Sequence, residues 1–222
     1  MPKLMELLAQ NKLTLIVAVA GGDPDVLTGA VESGADVLCL SLAEGVTGVQ
    51  KEKQALIRSL ADVKVPVGLN LSGEKQLGEK ELVELITVGF DFISLGMEFL
   101  SPALIKANGL AKILTLNSRF TLEEVVEISR SDFDALTAAI LPSSDRGGEL
   151  VVGDLQNYIS IVLSSALPVI IPSQRSLKPS EVAILADTGA KALLLTSQVT
   201  GKTLEGLKKT VAEFRRAVDD LE

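Results

Sequence analysis

Thr14-Leu15-Ile16-Val17-Ala18-Val19-Ala20 holds five consecutive apolar residues in its interior, with no polar alternation. A strand with one face in water alternates, so an unbroken aliphatic run of this length fits a parallel strand covered on both faces. Runs of the same kind return at Asp36 to Leu42, Val65 to Leu71, Phe90 to Leu95, Ala111 to Leu116, Ala135 to Leu141, Val169 to Pro172 and Ala190 to Thr196. Their starts recur about every 25 residues, the length of one strand, one helix and two loops. The intervening stretches are amphipathic and carry helix-start signals. Asp23-Pro24 and Ser101-Pro102 each offer a side-chain acceptor followed by proline at the first helical position. Thr121-Leu122-Glu123-Glu124 reads as a capping box. In the last stretch Leu204, Leu207, Val211, Phe214 and Val218 share one helical face, flanked by Lys208, Lys209, Arg215 and Arg216. An opening helix from Lys3 to Gln10, with Leu4, Leu7 and Leu8 together, is placed to plug the floor of a barrel.

Eight β/α units with no Gly/Ser/Pro linker and no break in composition predict an α/β chain folded as one (β/α)8 TIM barrel domain over residues 1–222, with a short N-terminal helix. The rival is an open doubly wound sheet. It normally has fewer strands, and its glycine fingerprint is missing after the first run.

Composition narrows the partners. The 222 residues include 21 basic and 29 acidic side chains, a formal charge of −8, and no basic run, which disfavours nucleic acid and anionic membranes. Apolar residues make up 47% and charged ones 23%, as in soluble globular proteins. Without a single histidine, Ser-His-Asp and Cys-His hydrolases and histidine-ligated zinc are excluded. Cys39 is the only cysteine, so no intrachain disulfide or thiolate cage forms, which fits a reducing cytoplasm. The opening residues lack a signal peptide's apolar stretch, and no run approaches the roughly 20 apolar residues of a membrane span. The expected location is therefore cytoplasmic.

In such barrels function sits where the strands end. The strands open into Gly21-Gly22-Asp23-Pro24-Asp25, Ser41-Leu42-Ala43-Glu44-Gly45, Asn70-Leu71-Ser72-Gly73-Glu74, Gly96-Met97-Glu98, Asn117-Ser118-Arg119 and Asp145-Arg146. Glu44 and Glu98 follow their strands by two or three residues and are the candidate general bases; Asp23 is the reserve, and helix capping competes for it. The segment Pro142 to Gly153 is the longest departure from regular spacing, readable as a loop over the mouth or as a plain surface insertion.

Ser173-Gln174-Arg175-Ser176 follows the seventh strand, and Thr196 to Thr203 joins the eighth to the last helix. Ser173, Arg175, Ser197, Gly201, Lys202 and Thr203 there form a candidate phosphate site, built from hydroxyls, cations and the N–H groups of a helix start. The same string approaches a P-loop, G-x-x-x-x-G-K-[ST], with Thr196 in place of the first glycine. An NTPase would need further strands beyond it, and an ordinary helix start is the remaining alternative. Magnesium accepts oxygen ligands alone, yet no ligand spacing singles it out, so no metal is expected.

Two stretches resemble known families. Ala20-Gly21-Gly22-Asp23-Pro24-Asp25, followed by Ser33-Gly34-Ala35-Asp36-Val37-Leu38, resembles the start of tryptophan synthase alpha chains over roughly the first 40 residues. Cys39 stands at the position matching that family's glutamate on strand two, so neither its acid/base nor its lyase activity carries over. Pro168-Val169-Ile170-Ile171 and Ala190-Lys191-Ala192-Leu193-Leu194-Leu195-Thr196-Ser197 resemble the last two units of the ribulose-phosphate-binding barrel superfamily. That resemblance implies a phosphate held after strands seven and eight. Ser173-Gln174 occupies the usual glycine pair and Thr196 the final glycine, which shifts the burden to side chains such as Arg175.

The expected function is a small-metabolite enzyme, an isomerase or carbon–carbon lyase, acting on a small phosphorylated metabolite. The alternatives are a non-catalytic barrel that binds a ligand or a partner protein, and an FMN-binding barrel whose flavin phosphate uses the same anion site.

Overall fold

The computed structural model describes residues 2–71, 77–101, 104 and 108–221. Eight parallel strands close into a barrel in sequence order: β1 Thr14–Ala20, β2 Val37–Ser41, β3 Val67–Asn70, β4 Phe92–Gly96, β5 Ala111–Thr115, β6 Ala135–Thr137, β7 Val169–Pro172 and β8 Ala192–Leu195. The circle closes where Thr14 to Val17 of β1 pair with Ala192 to Leu195 of β8. The described helices are α1 Lys3–Gln10, α2 Pro24–Glu32, α3 Gly45–Ala61, α4 Glu79–Val88, α5 Leu122–Ile128, α6 Val152–Ser164, α7 Val182–Ala186, α8 Ser197–Thr200 and α9 Leu204–Asp219. The expected cap pairs Asp23-Pro24 and Thr121/Glu124 start α2 and α5. The expected helix start at Ser101-Pro102 runs into residues outside those described.

Period-two alternation along the strands separates two cores. One lies between barrel and helices. The other lies inside the barrel, where Ile16, Val37, Cys39, Phe92, Ile113, Ala135, Ile170 and Ala192 meet Leu4 and Leu8 of α1. Both leucines are buried, so α1 stoppers the amino-terminal end as its spacing implied. Full burial of a leucine side chain contributes about 1.5–3 kcal/mol. Gly68 on β3 is required by the same interior: a Cβ there would lie 2.2 Å from the Phe92 ring.

Aspartates at the feet of the strands fix the register. Asp36 accepts the Leu15 N–H at 2.8 Å, and Asp134 accepts that of Lys112 at 2.7 Å. Asp91 accepts from Lys3 and Leu4 at 2.9 and 2.8 Å, supplying the first turn of α1 with acceptors that its own sequence lacks.

Two expectations need adjusting. β6 ends at Thr137 rather than Leu141: the Ala139 N–H turns back to the Thr137 carbonyl at 3.0 Å, and the Gln174 side chain accepts the Leu141 N–H at 3.0 Å. In α9 the face formed by Leu207, Val211, Phe214 and Val218 is buried, but Leu204, in the first turn, stays 37% exposed. No described helix is long and apolar enough to cross a membrane.

Candidate functional site

At the carboxyl end of the barrel the strands enclose a cavity of about 340 Å³. Its floor follows from strand geometry. Two residues beyond the inward Gly68, Phe92, Ile113 and Ala135 come Asn70, Ser94, Thr115 and Thr137, so neighbouring strands change from apolar to polar at the same height. Ser94 and Thr115 hydroxyls lie 2.9 Å apart, and Asn70 Nδ2 donates to Ser41 Oγ at 3.5 Å. Cys39 also lines the floor; burial pushes its thiol from the ordinary value up to about 12, so it is no nucleophile at neutral pH. Lys112 lies within β5, but Ala111 and Ile113 on either side face inward, so it belongs to the helix-facing side.

The β7 and β8 ends are knotted together. Buried Ser173 accepts the Thr196 N–H on Oγ at 2.7 Å, while Thr196 Oγ1 donates to the Ser173 carbonyl at 2.9 Å. That leaves Ser173 Oγ to donate its own proton to Thr196 Oγ1, 3.1 Å away. Thr196 caps the short helix α8 by accepting the Gln198 N–H at 3.3 Å. Ser197 and Gln198 stay exposed and face the cavity. A short extra helix after strand eight is a frequent part of phosphate sites in this fold.

The segment from Pro142 to Gly153 forms a wall fastened to the loop after β7. Gly147 N–H donates to the Gln174 carbonyl at 2.9 Å, Ser176 N–H to that of Gly148 at 2.9 Å, and Ser176 Oγ to that of Gly147 at 2.7 Å. Arg175 is the rivet. Its Nε and Nη2 reach the two carboxylate oxygens of Asp154 at 2.8 and 3.0 Å, and its Nη1 donates to the Asp145 carbonyl. Asp154 is buried at 4% exposure, and its carboxylate, accepting these hydrogen bonds, raises the guanidinium pKa further. Burial, and then the Asp154 charge, raise the neighbouring Tyr158 phenol well above its usual range. The wall carries Arg146 into the lining of the mouth. Among the described residues Arg146 takes part in no ion pair or hydrogen bond, and it is the only charged side chain lining that cavity.

The residues picked out by sequence therefore separate. Ser173 and Ser197 meet at the central mouth. Ser197 also borders a second cavity of about 380 Å³, between the end of β1 and the α8–α9 turn, which takes in Gly201, Lys202 and Thr203. Thr203 caps α9 by accepting the Gly206 N–H at 3.1 Å. Arg175, expected to face a phosphate, is directed to Asp154 instead, because a buried carboxylate needs a partner. The carboxylates stand outside the central cavity. Asp23 caps α2, accepting the Asp25 N–H at 3.0 Å. Glu44 is exposed at the start of α3 and paired with Lys51. Glu98 is exposed in the single turn Met97–Phe99, its carboxylate folded over Gly96. Among the described residues no group of three or more His, Cys, Asp or Glu side chains could hold a metal ion.

Asn70 and Arg146 stood among the strand-end residues without an assigned role, and Ser94, Thr115 and Thr137 were not singled out. The signal for Asn70, Ser94, Thr115 and Thr137 was a polar residue two positions beyond an inward apolar or glycine position in consecutive strands; the Arg146 loop carried no such signal.

No family model and no curated protein matches the chain. Solved structures do. Thiamine phosphate pyrophosphorylase from Pyrococcus furiosus aligns over 96% of this chain and 98% of its own, with TM-score 0.70 and 20% identity. Tryptophan synthase from M. tuberculosis, in its open form with BRD0059 bound, aligns over 97% of each chain, with TM-score 0.70 and 14% identity. The tryptophan synthase A-subunit from Pyrococcus furiosus covers 92% of this chain and 98% of its own, with TM-score 0.65 and 16% identity. The likeness is one of fold, and the fold is the TIM barrel that both sequence resemblances implied.

Proposed function

We propose that the barrel binds a small phosphorylated metabolite in its mouth, with the phosphate between Arg146 and the exposed Ser197 and the rest of the molecule over Asn70, Ser94, Thr115 and Thr137. One observation carries this reading: among the described residues, the only charged side chain lining the cavity is an arginine that makes no ion pair or hydrogen bond, set among neutral hydroxyls and amides. A guanidinium suits bidentate phosphate contacts, and on a chain of charge −8 a lone cation in a cleft localises an anion. The names of the similar structures, a thiamine phosphate pyrophosphorylase and a tryptophan synthase, support a role in small-molecule metabolism. Ser173 positions the corner, and Lys202 adds positive charge from the adjoining cavity.

The test is thermal. A ligand present at a hundred times its dissociation constant stabilises by about 2.7 kcal/mol, which for a domain of this size raises Tm by about 5–10 °C. Inorganic phosphate or a sugar phosphate should raise Tm in the unmodified protein and lose most of that effect in Arg146→Ala. An anion-independent Tm, or an equal shift in the variant, refutes the site.

The isomerase or carbon–carbon lyase reading is favoured by the position of Glu44 and Glu98 at the carboxyl ends of β2 and β4 on the same rim. A proton taken from the carbon beside a carbonyl needs such a base, and Glu44→Gln or Glu98→Gln should lower turnover of a phosphorylated carbonyl substrate by about 10²–10⁴. Turnover unchanged in both variants rules out these two carboxylates as the base; an unmodified protein that binds such substrates without turning them over is a binding protein. FMN would reveal itself as a yellow protein with flavin absorption.

A further inference from the structure

The amino-terminal end of the barrel departs from its own pattern at β8. The residue immediately before β2 is Asp36, and the one before β6 is Asp134. Each donates its N–H to a carbonyl of the preceding strand, Leu15 and Lys112, both at 2.9 Å. Each carboxylate then accepts the N–H of that same residue, at 2.8 and 2.7 Å. The residue before β8 is Lys191. Its N–H reaches the Val169 carbonyl in the same way, at 2.9 Å, but an ammonium group holds donors and no acceptor, so position 191 returns nothing to the Val169 N–H. Val169 is 2% exposed, and a buried N–H calls for an acceptor. Beside these two residues lies a cavity of about 510 Å³ between α1, the end of α6 and the foot of β7, walled mainly by Met5, Leu8, Val162, Leu167 and Pro168. Lys191 is the only charged side chain among its described lining, and its ammonium takes part in no ion pair or hydrogen bond among the described residues.

We propose that this hollow binds an aliphatic carboxylate, a fatty acid of medium chain length, whose head group takes the place that the aspartate side chain fills before β2 and β6. The carboxylate supplies an acceptor to the Val169 N–H and a counter-charge to Lys191, a charge-assisted contact on both sides. The hydrocarbon chain lies against Met5, Leu8, Val162 and Leu167, and the flexible thioether of Met5 suits a ligand of that shape. The volume falls within the roughly 300–1,000 Å³ of small-molecule sites. Both halves of the hollow select the ligand. Its apolar walls offer a sugar or a free phosphate almost no polar partners, and the Lys191 ammonium gains nothing from hydrocarbon alone. The site lies at the opposite end of the barrel from the mouth and does not depend on the metabolite reading.

Isothermal titration calorimetry of the whole chain with octanoate tests the site, and saturable, stoichiometric binding is expected. With the chain inside the hollow, each methylene added between hexanoate and octanoate should tighten binding about fourfold. Acetate, which has the head group alone, should bind weaker by on the order of a hundredfold or more. Octan-1-ol, which has the tail and no charge, should bind about tenfold or more weakly than octanoate. Lys191→Asp gives the Val169 N–H an acceptor from the chain itself, as Asp36 and Asp134 do for theirs, and so should abolish octanoate binding while Tm stays at or above that of the parent. Ala166→Trp, at an exposed position on the rim, should block the hollow independently. Inorganic phosphate should leave bound octanoate in place, which separates this site from the mouth. The proposal is overturned by an unmodified protein that does not bind octanoate, by acetate or octan-1-ol binding as tightly, by displacement with phosphate, or by octanoate binding that survives Lys191→Asp or Ala166→Trp.

Discussion

Replacing Arg175 by alanine removes the partner of a carboxylate that is 4% exposed, and the expected loss follows from that burial. Breaking a buried ion pair from one side costs about 3–5 kcal/mol, because the remaining charge has neither water nor a counter-ion. At about 2–4 °C per kcal/mol for a domain of this length, Tm should fall by about 6–20 °C. Arg175→Lys keeps the charge but cannot span both Asp154 oxygens while also reaching the Asp145 carbonyl, so it should recover only part of the loss. The double variant Asp154→Leu/Arg175→Met tests the cause. With both charges gone, stability should return to within about 1–2 kcal/mol of the original, the remainder being the cap that Asp154 gives the Val151 N–H at 3.2 Å. Calorimetry reads the stability of all four proteins. The same set reads the wall: once Arg175 no longer holds Asp145, the next residue, Arg146, loses its support, and the phosphate-induced rise in Tm should shrink in Arg175→Ala although Arg146 is intact. A fall below about 2 °C, or a double variant no better than the single one, would refute the view that the pair is a buried rivet.

Two further perturbations probe the barrel interior. Cys39 stays protonated in the folded chain until about pH 12, whereas an exposed thiol ionises near 9, so the unfolded state releases its proton first and stability falls as pH rises from about 9 to 12. About 1.4 kcal/mol should be lost by pH 10, and urea titrations of Cys39→Ala should show a flatter dependence over that interval; equal slopes would refute it. Gly68→Ala forces a methyl against the Phe92 ring and should cost about 1–3 kcal/mol, recovered in part by adding Phe92→Leu, while a single variant as stable as the parent would mean that the ring has room to move.

The architecture was legible because each unit repeats the same physical signals. Continuous apolar runs located the strands, and β1 and β7 begin and end where their runs do. The β6 boundary was not legible, since the chain there still reads as aliphatic while its backbone turns at Ala139 and the Leu141 N–H finds its acceptor in Gln174, more than thirty residues on. The position of the cavity at the barrel mouth was legible, and its lining less so. Ser173 and Ser197 line one cavity because loops after neighbouring strands must meet. Arg175 and Arg146 look equivalent on paper, and only the fold reveals that Asp154, on the far side of a loop, claims one and leaves the other facing the mouth. The inward hydroxyls were readable from period two, but only once the parity of each strand was known.

The pairing of β1 with β8 also bears on how the chain folds. Every other strand pair joins segments one unit apart, whereas Thr14 and Ala192 stand at opposite ends of the sequence. In a polymer estimate, closing a loop of roughly 180 residues rather than roughly 20 costs only about 2 kcal/mol more, so the finished seam is nearly as cheap as any other. Its cost lies in time. Neighbouring units can assemble through local contacts, but neither β1 nor β8 gains its second partner until all the units between them are in place. Amide hydrogens donated across this seam should thus be the last to gain protection during refolding, with the edges of both strands open until then.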